Sequence, residues 1–178
     1  GRMTFLERIT DLDPKGGPWR RGYLRAVTEV HPDDWFFPGH FLNDPCMPGT
    51  LMFDGCLQAM AFYLAAMGVT VDRDGWRFEP VTGIPYKLLC RGQVTPTSRE
   101  LVYEVFVEEF HDGPEPTLYA DLLCTVDGLG AFHARRVGLR LVPDWPMTSR
   151  PRLFAADAMP PAPGREPMAL TQCDPTKK

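Results

Sequence analysis

Asp54 and Gln58 stand four residues apart inside a long apolar run, residues 51–67, where they are the conspicuous polar side chains. On a helix that spacing puts both on one face, one turn apart, so each can support the other. A carboxylate in apolar surroundings is costly unless it is hydrogen-bonded, and Gln58 supplies the bond. His40 lies fourteen residues before Asp54, in Phe36-Phe37-Pro38-Gly39-His40-Phe41, where bulky rings can hold an imidazole in a partly dry pocket. A histidine, an acid whose apolar setting favours its protonated form, and a glycine at a helix start are the parts of an acid–base reaction. One group takes a proton, another gives one, and a backbone donor meets developing negative charge. Taken singly, the residues have plainer readings: Asp54 and Gln58 as a network that only orients a helix, and His40 as a surface imidazole.

The elements that must position these groups are readable from the surrounding pattern. Pro48 fits the first helical position, where its missing N–H costs nothing, and 51–67 carries good helix formers up to a stop at Gly68. The apolar residues of this helix cover almost every side, which predicts a helix surrounded by protein. Upstream, 3–9 and 22–30 read as strands joined by the Pro-Lys-Gly-Gly-Pro turn at 14–18, and 31–47 as an ordered loop rich in Pro, Asp, Gly and aromatics. Downstream, 68–85 is turn-rich. Strands are expected over 86–94, 100–110, 117–126 and 131–142, the last after a Gly128-Leu129-Gly130 connection. One buried helix followed by sequential long strands predicts an α+β fold, an antiparallel sheet wrapped around that helix. Beyond Pro143 the chain turns Pro-rich, so the expected organisation is a single domain over 1–146 and a tail or inter-domain linker over 147–178.

The bulk numbers exclude several classes of function. With 178 residues, a net charge of -4 and no extended basic cluster, the chain is not expected to bind nucleic acid. Its longest apolar run is interrupted by Asp54 and Gln58 and stands near the lower limit for spanning a bilayer, so no membrane insertion is expected. Five cysteines (Cys46, Cys56, Cys90, Cys124, Cys173) form an odd set with no Cys-x-x-Cys pair, which predicts free thiols and no metal site. The opening Gly1-Arg2-Met3 reads as a remnant ahead of a start methionine, with no secretory signal after it, and a reducing cytoplasm is expected.

The run His40-Phe41-Leu42-Asn43-Asp44-Pro45-Cys46-Met47-Pro48-Gly49-Thr50-Leu51-Met52-Phe53-Asp54-Gly55-Cys56-Leu57-Gln58 resembles, without a gap, the active-site segment of bacterial 3-hydroxydecanoyl-acyl-carrier-protein dehydratases. A closer resemblance is to the dehydratase domains of polyunsaturated fatty acid synthases and related polyketide-type lipid synthases. It extends through Gly75-Trp76-Arg77-Phe78-Glu79-Pro80, Cys90-Arg91-Gly92-Gln93-Val94, Ala120-Asp121-Leu122-Leu123-Cys124-Thr125-Val126-Asp127-Gly128 and Leu141-Val142-Pro143-Asp144-Trp145-Pro146, covering residues 20–146.

The resemblance implies a hot-dog fold and β-elimination of water from a 3-hydroxyacyl group held on the phosphopantetheine thioester of an acyl carrier protein, with no cofactor of the domain's own. His40 would remove the α-proton, the Gly49 N–H would bond the thioester carbonyl, Asp54 would protonate the departing hydroxyl, and Gln58 would orient Asp54. Phe37, Phe41, Pro48, Thr50, Trp76 and Tyr86 are the residues expected around the substrate, with ordinary core packing the plainer reading for Trp76 and Tyr86. Family members pair two units so that His of one meets Asp of the other, which implies a homodimer or an equivalent pairing.

Relatives that only dehydrate carry Glu at the position of Asp54, so this chain resembles the branch in which some members also shift the new double bond along the chain; no residue here decides that activity. Stand-alone enzymes are basic where this chain has Glu108-Glu109-Phe110-His111-Asp112-Gly113, and hold Cys at the position of Thr50. A carrier tethered in the same polypeptide needs less surface attraction. The rival readings are a hot-dog thioesterase and a non-catalytic hot-dog partner; the His40 and Asp54 pair argues against the first, and a non-catalytic partner would be expected to have lost one of the two.

Overall fold

The computed structural model describes residues 2–143, so the expected tail at 147–178 and its boundary at 146 lie outside the described residues. Seven strands and one long helix follow in the order β1 (Arg8–Asp13), β2 (Tyr23–Glu29), α1 (Gly49–Ala66), β3 (Arg77–Pro80), β4 (Lys87–Cys90), β5 (Glu100–His111), β6 (Thr117–Val126) and β7 (Leu129–Val142). They form one antiparallel sheet in the order β1-β2-β5-β6-β7-β3, with β4 also pairing β7. A short 3-10 turn, Phe37–Gly39, interrupts the loop before α1.

The strands hold to a period of two. Along β6, Leu118, Ala120, Leu122, Cys124 and Val126 are buried and the residues between them half-buried, so one face meets α1 and the other looks outward. Register shifts between Val107 and Glu109 and between Ala120 and Leu122 bend β5 and β6, which curls the sheet over the helix. The helix answers with Met52, Gly55, Cys56, Ala59, Met60, Tyr63 and Leu64 at helical spacing. Small residues in that stripe let it approach closely: a methyl group at Gly55 would stand 2.6 Å from the buried ring of Tyr103 on β5.

Several boundaries differ from those read off the sequence, each for a physical reason. The first strand runs from Arg8 to Asp13 and not over 3–9, because residues 3–5 leave the sheet to bond α1. Pro48 precedes the helix (φ -55°, ψ 133°) and Gly49 is the first helical residue. The region 68–85 contains β3, whose Pro80 is tolerated on an edge strand. The strand expected over 86–94 stops at Cys90, where Arg91 and Gly92 both donate to the Ala131 carbonyl (2.9 and 3.1 Å) and the ladder ends. The last hairpin turns on Asp127-Gly128, not on 128–130: both have positive φ (49° and 82°), the demand of a two-residue type I′ turn, and Leu129 already pairs with Val126.

The largest correction concerns α1. One face packs on the sheet, but Thr50, Phe62, Ala65 and Ala66 are exposed and Asp54 is half-buried, because a single sheet covers only one side. No helix among the described residues is long and apolar enough to cross a membrane. Cys46, Cys56, Cys90 and Cys124 are free thiols, as expected; Cys173 lies outside the described residues.

Candidate active site

His40 follows the 3-10 turn and is clamped by a six-residue loop. The Cys46 N–H donates to the His40 carbonyl at 2.7 Å, and the His40 Nδ1 lies 3.0 Å from the Cys46 carbonyl oxygen. A carbonyl only accepts, so Nδ1 carries the proton, and in the neutral ring the free lone pair is on Nε2. The Cys46 Sγ lies 3.5 Å from the same Nδ1; burial, then Asp44 and Cys90, push that thiol up, away from thiolate chemistry. The Phe41 ring stacks on the imidazole at 4.2 Å between centroids, while Phe36 and Phe37 pack on each other and into the core. Of the aromatics expected to wall the histidine, Phe41 does so directly.

Asp54 is held from one side. Gln58 Nε2 donates to Asp54 Oδ2 at 2.8 Å and to the Met3 carbonyl at 2.6 Å, and Gln58 Oε1 accepts from the Phe5 N–H at 3.0 Å. The Phe5 N–H can only donate, so it fixes which end of the Gln58 amide is oxygen and sends the NH2 toward Asp54. Since Oδ2 accepts from Gln58, a proton on the acid belongs on Oδ1, the oxygen left free to give it away. The strap of residues 3–5 is held further by the Trp35 Nε1–H on the Arg2 carbonyl at 2.8 Å.

The helix start completes the set. Leu51 and Met52 both donate to the Pro48 carbonyl (2.9 and 3.4 Å), and Pro48 has no N–H, so the first free donors of α1 are Gly49 and Thr50. They stand at the positive end of the helix dipole. Space at 49 is tight: a Cβ there would lie 2.9 Å from the Cys90 Sγ, which would have to turn aside. Among the described residues no hydrogen bond joins His40 to Asp54; each is fixed by its own network.

The other expected residues divide between the two ends of α1. Pro48 and Thr50 flank Gly49 at the helix start, and Phe41 stacks on His40. Tyr86, half exposed, stacks on Phe53 of α1 at 5.8 Å, next to Asp54 in sequence. Phe37 is buried behind the loop. Trp76 is elsewhere: it precedes Arg77, which pairs with Val142, whereas Cys90 pairs with Phe132, ten residues back along β7 and on the order of 30 Å away. There it packs against the core under the Arg73 guanidinium, at 5.4 Å. Cys46, Cys90, Phe53 and the strap at residues 3–5 are not singled out by the sequence. Cys46 and the strap act through backbone atoms, which carry no residue-type signal, and Cys90 meets Gly49 only through the sheet register.

Comparison with known proteins bears on the family and the fold. The FabA-like domain family matches residues 1–135. A curated relative, a polyunsaturated fatty acid synthase polypeptide of Thraustochytrium sp. (strain ATCC 26185 / S-3), is 33% identical over 123 residues, 68% of this chain; the match spans only 8% of that relative's length. Among solved structures, the dehydratase heterocomplex ApeI:P from Xenorhabdus doucetiae aligns with a TM-score of 0.52 at 13% identity, covering 78% of this chain and 83% of that one. A hypothetical protein from Staphylococcus aureus aligns with a TM-score of 0.52 at 11% identity, covering 77% and 93%. One helix on a curled antiparallel sheet, the 40–58 segment at its open face and these matches together make the chain a member of the FabA-like domain family, built on the hot-dog fold.

Proposed function

We propose that this domain dehydrates 3-hydroxyacyl thioesters carried on an acyl carrier protein, within a lipid synthase of the polyunsaturated fatty acid or polyketide type. The observation that carries the reading is the complementary fixing of two groups: Nδ1 of His40 is occupied and Nε2 free, while Oδ2 of Asp54 is occupied and Oδ1 free. In the reaction, Nε2 takes the C2 proton and the C2–H electron pair becomes the second bond between C2 and C3. The C3–O bond breaks, and the Oδ1 proton completes the departing water. The Gly49 N–H bonds the thioester oxygen as charge develops on it.

The exposed apolar side chains of the single chain support pairing with a second unit. Phe41 is 60% and Leu42 89% exposed, Tyr86 and Leu88 are exposed at the edge strand β4, and Phe62 is exposed on α1. Paired units would bring His40 of one copy to Asp54 of the other, and light scattering should give twice the chain mass. On the carrier side, the acidic segment is less negative than its sequence: Arg136 bridges Glu108 and Glu109 at 2.8 and 2.9 Å, and His111 also meets Glu109. A carrier tethered in the same chain reaches such a surface by effective concentration.

The test is incubation with a short 3-hydroxyacyl thioester, followed by mass spectrometry. Loss of water supports the dehydratase, free thiol would make it a thioesterase, and no reaction would make it a structural partner. Asp54→Asn, which keeps the shape and lacks the proton, should lose at least about a hundredfold in both dehydration and the reverse hydration.

A further inference from the structure

The strand pair β4–β7 carries unanswered charge on the face turned away from α1. Register sets Lys87 opposite Arg135 and Leu89 opposite His133. Alternation sends these four outward, whereas Phe132 and Ala134 are buried and the Cys90 Sγ reaches Gly49 on the helix side. The four line a hollow of about 100 Å³. Leu89 and His133 also border a second, of about 180 Å³, together with Arg91 and Leu123. No carboxylate lines either hollow. Like charges directly opposite one another on a sheet are destabilising. Elsewhere the sheet's arginines are answered: Arg77, Arg136 and Arg140 each meet a glutamate. The side chains of Lys87, Arg91 and Arg135, all exposed, meet no carboxylate among the described residues, in a chain whose net charge is -4. Cations held without counter-charge around two leucines suit a partner that is acidic and partly apolar.

We propose that the acyl carrier protein docks on this face, with acidic side chains of the carrier meeting Lys87, Arg91 and Arg135 and an apolar one resting on Leu89 and Leu123. The proposal rests on the carrier-bound dehydration proposed above. Strand β4 links the face to the reaction: Cys90, between Leu89 and Arg91, has its Sγ 2.9 Å from where a Cβ of Gly49 would stand, and the Gly49 N–H is the donor to the thioester. Lys87 is three residues back along the strand, on the order of 10 Å at about 3.4 Å per residue. A phosphopantetheine arm carries a phosphate at its carrier end and the thioester at the other, so cations on one face of β4 and an N–H donor beyond the other suit its two ends. Cys90 and Arg91 are exposed where the ladder stops, and the arm passes round that end. Glu108 and Glu109 do not repel the carrier, because Arg136, next to Arg135 in the chain, bridges both. A second copy of this chain is the poorer occupant: two-fold pairing on this face would set the same cations against each other.

The test offers one acyl group on two thiols. The parent and the double variant Lys87→Gln, Arg135→Gln receive 3-hydroxybutyryl on an acidic bacterial acyl carrier protein and on N-acetylcysteamine, which has neither a carrier surface nor a phosphate. With the carrier-bound substrate, kcat/KM should fall roughly tenfold or more in the variant at low salt, and the gap should close as salt screens the contact. The small thioester should react equally in both proteins. A loss on both substrates, or on neither, overturns the proposal. Because the variant relieves a like-charge pair, its Tm should equal or exceed the parent's; a lower Tm would mean that the cations serve the fold, and overturns it. If the parent dehydrates neither substrate, the functional reading fails and binding alone decides the face. Fluorescence anisotropy of the labelled carrier should then show tighter binding to the parent than to the variant, and equal binding overturns the proposal. A parent that binds phosphatidylglycerol vesicles and not the carrier would make the face a membrane contact, and overturns it as well.

Discussion

His40 and Cys46 hold each other through three atoms of main chain and one ring nitrogen: the Cys46 N–H reaches the His40 carbonyl at 2.7 Å, and the His40 Nδ1–H reaches the Cys46 carbonyl at 3.0 Å. The tautomer of the proposed base is therefore set by backbone, not by the thiol. Cys46→Ala should keep kcat within about threefold, because only the 3.5 Å sulfur contact to Nδ1 is lost and the carbonyl bond stays, whereas Cys46→Pro removes the N–H and should cost about tenfold or more. Steady-state dehydration rates check both. A large loss in Cys46→Ala would mean that the sulfur itself takes part.

Gln58 serves structure and chemistry at once. Gln58→Ala gives up its bonds to Met3 and Phe5 and should lower stability by about 1–3 kcal/mol in urea unfolding. The same change frees Asp54 to rotate and should reduce kcat by about tenfold, with KM nearly unchanged. A variant as active as the parent would remove Gln58 from any positioning role.

Gly55 is the point of closest approach between α1 and the sheet. Gly55→Ala would drive a methyl group to 2.6 Å from the fully buried Tyr103 ring, which has no room to retreat, and should cost about 1–3 kcal/mol despite the better helix propensity of alanine. Thermal melts check it; a rise in Tm would show that the helix can shift outward.

The Arg136 cluster gives a pH-dependent contribution of defined sign. Glu109 is held below its ordinary value of 4.5, chiefly by the hydrogen bond from Arg136 and then by that from His111. A carboxyl with a depressed folded value stabilises above its unfolded value and loses that contribution as pH falls through the lowered one. Arg136 stands at φ 54°, so alanine there adds no backbone strain the arginine lacked. Melts of the parent and Arg136→Ala should therefore differ more at about pH 7 than at about pH 3. A gap that widens in acid would reverse the assignment.

The fold is legible where side chains alternate or recur by element: the strand expected over 117–126 matches Thr117–Val126 to the residue, and α1 lies within two residues of its expected ends. The site is legible as far as side-chain chemistry reaches, in His40, Asp54 and Gln58. What sequence leaves out is carried by atoms every residue has. The Cys46 carbonyl, the Met3 carbonyl and the Phe5 N–H hold the reacting side chains, and no residue type announces them. The incomplete covering of α1 escapes the sequence for a related reason: an apolar helix looks alike whether its second face meets its own chain or another.

Residues 3–5 belong to no strand and no helix, yet they furnish two of the three bonds that Gln58 makes. A fragment trimmed to regular structure, starting at Arg8, would keep every strand and the helix while leaving the amide beside Asp54 to swing. Such a fragment also gives up the buried Phe5 ring, so the few residues ahead of the first strand serve assembly and chemistry together.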